Sequence, residues 1–150
     1  MADQELVNKL KGWKENPPNP EDVDEKFGVE FLTTLFTLFQ QLSLEDEDLK
    51  DEVEDNDLTM QFIMKSDVKD SKFWISTSDE KISFGLGEGS DVTVTMIASA
   101  ENMFKILSGN MESTSAYISG DLTIEGSLQD AMAFGEIASI AAELIEEAIS

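Results

Sequence analysis

The chemistry open to this chain is bounded first by the residue types it omits. Its 150 residues include no histidine and no cysteine, and its ten basic residues are all lysine. A Ser-His-Asp or Cys-His arrangement cannot be assembled, no imidazole can move protons near neutral pH, and no thiolate can act as nucleophile or zinc ligand. Carboxylates are plentiful, with 32 Asp and Glu giving a formal net charge of −22. In so acidic a chain, neighbouring carboxylates describe a solvated face rather than a site. The acidic peak Glu45 to Asp57, EDEDLKDEVEDND, has no register that supplies both calcium ligands at their required offsets and a glycine at the sixth position. It reads as a solvated connection that extends the last turns of the helix before it. Ser66-Asp67-Val68-Lys69 matches the Ser-x-x-Lys spacing of penicillin-interacting enzymes, but it falls at a hairpin turn without the accompanying motifs. An enzyme using Asp, Glu, Lys65 or Tyr117 is the residual catalytic alternative; the expectation is no enzyme, no cofactor and no metal site.

The same charge bears on partners. A polyanionic duplex or an anionic membrane is repelled by such a field, and the bidentate phosphate fork of arginine is missing. Nucleic acid is not an expected partner. The acidity serves solubility, with a surface for docking a basic protein as the functional alternative. No 18-residue apolar run could span a bilayer, and Met-Ala-Asp-Gln-Glu lacks the basic and apolar regions of a secretory signal. A cytoplasmic location and no stable membrane insertion are expected.

The elements that would position any site follow from periodicity. Leu6, Val7, Leu10 and Trp13 have helical spacing within residues 3 to 15, and Asn16-Pro17-Pro18-Asn19-Pro20 ends that helix in a spacer. The helix would pack on the domain, act as a lid, or meet a second subunit. From Glu21 the strongest helix begins, with Phe27, Val29, Phe31, Leu32, Leu35, Phe36, Leu38, Phe39 and Leu42 covering most of its circumference. Three strands follow as a meander: Leu58, Met60, Phe62 and Met64 alternate with polar residues, Lys72 to Thr77 carries Phe73, Trp74 and Ile75, and Ile82, Phe84 and Leu86 alternate with Ser83 and Gly85. Trp74 and the Phe73/Ile75 pair cannot both face inward. One set would lie under the N-terminal helix or on an exposed patch.

The stretch from Asp91 to Phe134 organises the rest. Asp91-Val92-Thr93-Val94-Thr95-Met96 alternates as a half-buried strand with Val92, Val94 and Met96 on one face, and Asp121 to Glu125, bounded by Gly120 and Gly126, places Leu122 and Ile124 inward. Between them, Ala100 to Leu107 is an amphipathic helix with Gly109 placed as its C-cap, followed by a small-residue loop. Leu128 to Ser150 is helical with a break at Gly135, and its second half is amphipathic.

At these residues the chain resembles a known family. The order Asp-Val-Thr-Val-Thr-Met, a helix with Phe104 and Leu107, Gly109-Asn110-Met111, Ser115-Ala116-Tyr117, the strand from Gly120 to Gly126, then Leu128 and Ala131-Met132, is similar to the sterol carrier protein type 2 (SCP2-like) lipid-binding domain. The resemblance is most specific over 91 to 134, fainter over 31 to 90, and does not cover 1 to 20 or 138 to 150. The chain departs from the family pattern at Asp121, where a basic residue is usual, and in its acidity.

The resemblance implies an α+β fold: a five-stranded mixed β-sheet with helices packed on one face and an apolar tunnel between sheet and helices. Residues 1–20 form an N-terminal helix and Pro-rich spacer, and 21–150 the sterol-carrier-like domain. The implied function is non-catalytic binding and transfer of a hydrophobic small-molecule ligand, a fatty acid, sterol or other single-chain lipid. Chosen by predicted face, the lining residues are Phe31, Leu35, Phe39, Met60, Phe62, Phe84, Met96, Phe104, Leu107, Ile124, Met132 and Phe134. The C-terminal helix would close one mouth of the tunnel or pair two subunits as a homodimer. Free fatty acids or neutral lipids are expected to bind better than coenzyme A esters, whose phosphates call for a basic mouth. The alternative is an acidic protein-interaction module with the same fold and a filled core.

Overall fold

A computed structural model of the chain describes residues 3–16, 25–65, 70–107 and 111–149. The expected strands are present. β1 (Thr59–Lys65), β2 (Ser71–Ser76), β3 (Ser83–Leu86), β4 (Val94–Ser99) and β5 (Thr123–Gly126) form one sheet in the order β3-β2-β1-β4-β5. β1 pairs antiparallel with β2 and parallel with β4, so the sheet is mixed. Phe62 lies opposite Phe73 on one side and Met96 on the other, and this register turns Met60, Phe62, Phe73, Ile75, Val94 and Met96 to one buried face. Period-2 alternation fixes that face as the side on which helices must pack.

Among the described residues the α-helices are α1 (Gln4–Glu15), α2 (Glu25–Glu45), α3 (Glu47–Asp55), α4 (Ala100–Leu107), α5 (Ser113–Ser119) and α6 (Leu128–Ile149). α2 packs on β3, α4 on β1 and β4, and α6 on β4 and β5. Further out, α1 lies on α2 and α6, and α3 lies between α2 and α6. α2 splits its apolar circumference between two neighbours. The ring of Phe36, 1% exposed, meets Phe62 at 5.9 Å and Phe84 at 5.9 Å, while Phe31, Leu35 and Phe39 form a separate stripe at i, i+4, i+8.

Several expectations need correction. The acidic run is not a trailing connection but the separate helix α3, with Leu49 and Val53 fully buried at i, i+4 and Asp46 accepting a hydrogen bond from the Leu49 amide at 3.0 Å. That carboxylate satisfies one of the otherwise unpaired first-turn amides. Asp46→Ala is expected to lower stability by about 1 kcal/mol, read as a shifted denaturant midpoint with unchanged m-value. The small-residue loop contains α5, capped by Gly120 at φ 89°. Gly135 does not break the last helix, because α6 runs through it. Val92 lies before β4 and is exposed. Gly126 ends β5 at φ 96°, and a Cβ there would approach the Thr93 carbonyl oxygen to 2.7 Å, so glycine is required twice over. The Ser66–Lys69 turn, the Pro-rich spacer from 17 to 20, the start of the long helix at Glu21 and the Gly109 cap lie outside the described residues.

The alternatives left open for β2 are resolved by the crossover from β3 to β4. Phe73 and Ile75 face the core, whereas half-buried Trp74 sits on the opposite sheet face beside Gly85 and Gly89. Buried Gln61, the cross-strand partner of Trp74, donates its side-chain amide to the carbonyls of Phe73 and Gly87 at 2.9 Å each and accepts from the Gly89 amide at 2.8 Å. The polar residue thus ties the crossover down, with the indole beside it. Lys72 of β2 pairs at 2.9 Å with Glu88 of the same crossover. Their hydrogen bond and mutual attraction raise the lysine pKa and lower that of the glutamate, but solvent screening leaves the pair of little consequence for stability.

Candidate functional site

Between α2, the inner sheet face and α6 lies a cavity of about 560 Å³, open to solvent on one side. An empty void of that size, closed and dry, would cost on the order of 13 kcal/mol at about 24 cal/mol per Å³, comparable to the whole net stability of a domain. The space is therefore one that water or a ligand fills, not a packing flaw. Its size lies within the roughly 300–1,000 Å³ of small-molecule sites.

One wall is aromatic. Phe31 of α2 and Phe104 of α4 meet edge to face at 4.8 Å, and Trp13 of α1 lies 5.7 Å from Phe31 and 5.4 Å from Phe27. Trp13, Phe31 and Phe104 line the cavity, and Leu10 extends the contribution of α1. Leu35 and Phe39 continue the α2 stripe, the floor is Phe62 of β1 and Met96 of β4, and Ile106, Leu107 and Met111 close the side near α4.

The opposite wall explains why space remains. α6 presents Ala131, Gly135, Ala138, Ser139 and Ala142 to the cavity at helical spacing, with Phe134 and Ile145 flanking them and Ile149 at the end. Small side chains on one helix face bulky rings on the others, and the gap between them is the cavity. At Gly135 a Cβ would meet nothing within 4 Å. The apolar walls give way at the opening to Glu112, Ser113, Ser139 and Glu146.

Of the residues expected to line a cavity, the structure brings together Phe31, Leu35, Phe39, Phe62, Met96, Phe104, Leu107 and Phe134. Four lie elsewhere. Met60 is fully buried in the sheet–helix core, and the half-buried ring of Phe84 packs on Phe36. Ile124 is half-buried on edge strand β5, and Met132 is 70% exposed, because its place on α6 turns it away from Ala131 and Phe134. Sequence reasoning missed the contributions of α1 and of the small stripe on α6. The signal was there in Ala131, Gly135, Ala138 and Ala142 recurring every three or four residues, but a search for large apolar side chains passes over it.

Of the side chains named for the catalytic alternative, Glu112 and Glu146 are the acidic residues that line the cavity. Lys65 pairs with Asp70 at 2.9 Å and Tyr117 is exposed on α5, neither of them lining the cavity. Among the described residues, no group of carboxylates is placed to hold a metal ion, and no helix is long and apolar enough to cross a membrane.

Comparison with known proteins bears on the family and the fold. The chain matches the model of the SCP-2 sterol transfer family over residues 37–139. No curated protein matches it. Among solved structures, the sterol carrier protein domain 2 of Helicoverpa armigera is similar with a TM-score of 0.61 at 23% identity, covering 84% of this chain and 94% of that one. Sterol carrier protein 2 from Yarrowia lipolytica in its apo form gives 0.59 at 16% identity, covering 73% and 90%. At these identities the structural likeness speaks for the fold.

Proposed function

The chain belongs to the SCP-2 sterol transfer family, and from that premise we propose that it is a non-catalytic carrier that takes one lipid, a fatty acid, sterol or other single-chain amphiphile, into the cavity between α2 and α6. The observation that carries the reading is the pairing of an aromatic wall with a stripe of small residues around about 560 Å³ of space. Burial is the mechanism. At about 0.8 kcal/mol per methylene, a tail of roughly 14 carbons offers on the order of 11 kcal/mol gross, which leaves micromolar or better affinity after association and ordering. No proton need move and no bond need break. Absence of a membrane-crossing helix among the described residues and the charge of −22 favour a protein that works in the cytoplasm without inserting into a bilayer. Phe31, Leu35, Phe39, Phe62, Met96, Phe104, Leu107 and Phe134 are the proposed ligand contacts.

Trp13 makes the proposal measurable, because it lines the cavity and Trp74 does not. In a Trp74→Phe variant, titration with a neutral long-chain lipid is expected to shift the emission of Trp13 saturably, with one ligand bound. Organic extraction of the purified protein followed by mass spectrometry is expected to find lipid. No emission change together with no extractable lipid would instead favour the interaction module with a filled core.

A further inference from the structure

The family model matches residues 37–139, so α1 lies wholly outside it, yet α1 packs against both helices that flank the cavity, α2 and α6. Its apolar residues are Leu6, Val7, Leu10 and Trp13. Val7, 1% exposed, sits in the core and does not line the cavity, whereas Leu10 and Trp13 do. Half of the apolar anchorage of α1 therefore borders open space, and a tail occupying that space adds contacts to both residues. α3 makes the contrast: it lies on the same two helices, but its anchors Leu49 and Val53 are fully buried and neither lines the cavity. Two polar contacts from α1 to α2, the Asp3 amide donating to Gln41 Oε1 at 2.7 Å and Lys9 pairing with Glu30 at 3.6 Å, are exposed and add little. Within α1, Gly12 is exposed at a helix-interior position where a Cβ would meet nothing within 4 Å, so it weakens the helix without serving a close approach.

We propose that α1 is a ligand-coupled clasp on the lipid site: lipid in the cavity and docking of α1 reinforce each other, and release of the lipid passes through the state in which α1 has lifted. The inference rests on the reading of the cavity as a lipid site and adds a moving wall to it. Its cause is the division of the α1 side chains. Without lipid, α1 is held by buried Val7, half-buried Leu6 and the incomplete contacts of Leu10 and Trp13; lipid completes those contacts. Linkage then requires that whatever lipid adds to the docking of α1, docked α1 adds to the affinity for lipid. A short helix with a glycine inside it and four apolar anchors belongs to the low-stability end of a structure, where local opening precedes global unfolding.

Hydrogen–deuterium exchange of the intact protein, delipidated or saturated with dodecanol, reads the coupling. Amides of α1 are expected to exchange on the order of tenfold more slowly with dodecanol bound, within the usual range of coupling between sites, and those of α3 to change much less. Release is read by chasing the bound uncharged probe N-phenylnaphthylamine with excess dodecanol in a stopped-flow instrument. Gly12→Ala, which adds no contact, is expected to slow release roughly fivefold, the factor by which a helix-interior glycine falls short of alanine. Val7→Asp places an unpaired carboxylate in the core and is expected to speed release at least tenfold, with the amides of α3 and of the strands as protected as in the unmodified protein. Should Val7→Asp disturb the strands as well, the Gly12→Ala rate and the exchange of the unmodified protein decide the matter. Protection of α1 that dodecanol changes no more than that of α3, or release that either folded variant leaves unaltered, overturns the clasp while uptake of the probe keeps the cavity a lipid site. A probe that enters none of the three proteins overturns the lipid site itself, and the clasp with it.

Discussion

Ala138→Trp is expected to abolish uptake of a long-chain probe, weakening it at least thirtyfold on the scale of about 1.4 kcal/mol per factor of ten, while the protein stays folded. Ala138 sits midway along the α6 stripe, half-buried and facing the aromatic wall across the cavity. An indole there would occupy the space a ligand tail must fill. Because the site is already a void, the added ring does not meet the overpacking that a filled core imposes, and circular dichroism and the melting temperature should change little. The matched control is Met132→Trp on the same helix. Met132 is 70% exposed and lies outside the cavity, so the same bulk is expected to leave uptake at the level of the unmodified protein. If Ala138→Trp still takes up the probe with unaltered affinity, the cavity is not where the ligand goes.

The second large effect concerns stability. Phe36→Ala is expected to destabilise the fold by about 3–5 kcal/mol, lowering the melting temperature by roughly 10 °C for a chain of this length. Phe36 is 1% exposed, its ring in contact distance of Phe39, Phe62 and Phe84 and not in the wall of the cavity. Truncation therefore opens a void in a layer that joins α2 to the sheet, and surrounding atoms cannot fill it without moving the helix. Phe36→Leu retains most of the volume and should recover more than half of the loss. Calorimetry distinguishes this from an effect on the cavity: since the ring itself does not line the cavity, the melting-temperature increase produced by saturating lipid is expected to be similar in Phe36→Ala and the unmodified protein. A loss below about 1 kcal/mol would show that α2 is held to the sheet by something other than this ring, since truncating a well-packed core phenylalanine costs several times more.

The reach of sequence reasoning differs by element, for physical reasons. Alternation in Leu58 to Met64 and in Val94 to Met96 is legible because a strand shows its two faces at every second residue, and one buried face admits one register. The aromatic half of the cavity was legible too, since Phe31, Leu35 and Phe39 repeat at the helical period and Phe104 stands in a clear amphipathic turn. α3 was hidden because nine residues of mostly charge carry only Leu49 and Val53 as an apolar signal. α5 was hidden because its Ser and Thr residues favour caps and turns as readily as a helix.

Composition and periodicity by themselves determined the strands, the large rings available to α2 and the want of His, Cys and Arg, because each is a local property or a count, while the α+β class came with the family resemblance. Tertiary packing alone decided that Trp74 faces away from the core under a glycine-lined crossover, that Met132 points outward, and that Leu10 and Trp13 of α1 reach the same space as the small residues of α6. A cavity is a property of what two surfaces fail to fill between them, and no single stretch of chain records the shape of the surface it will face.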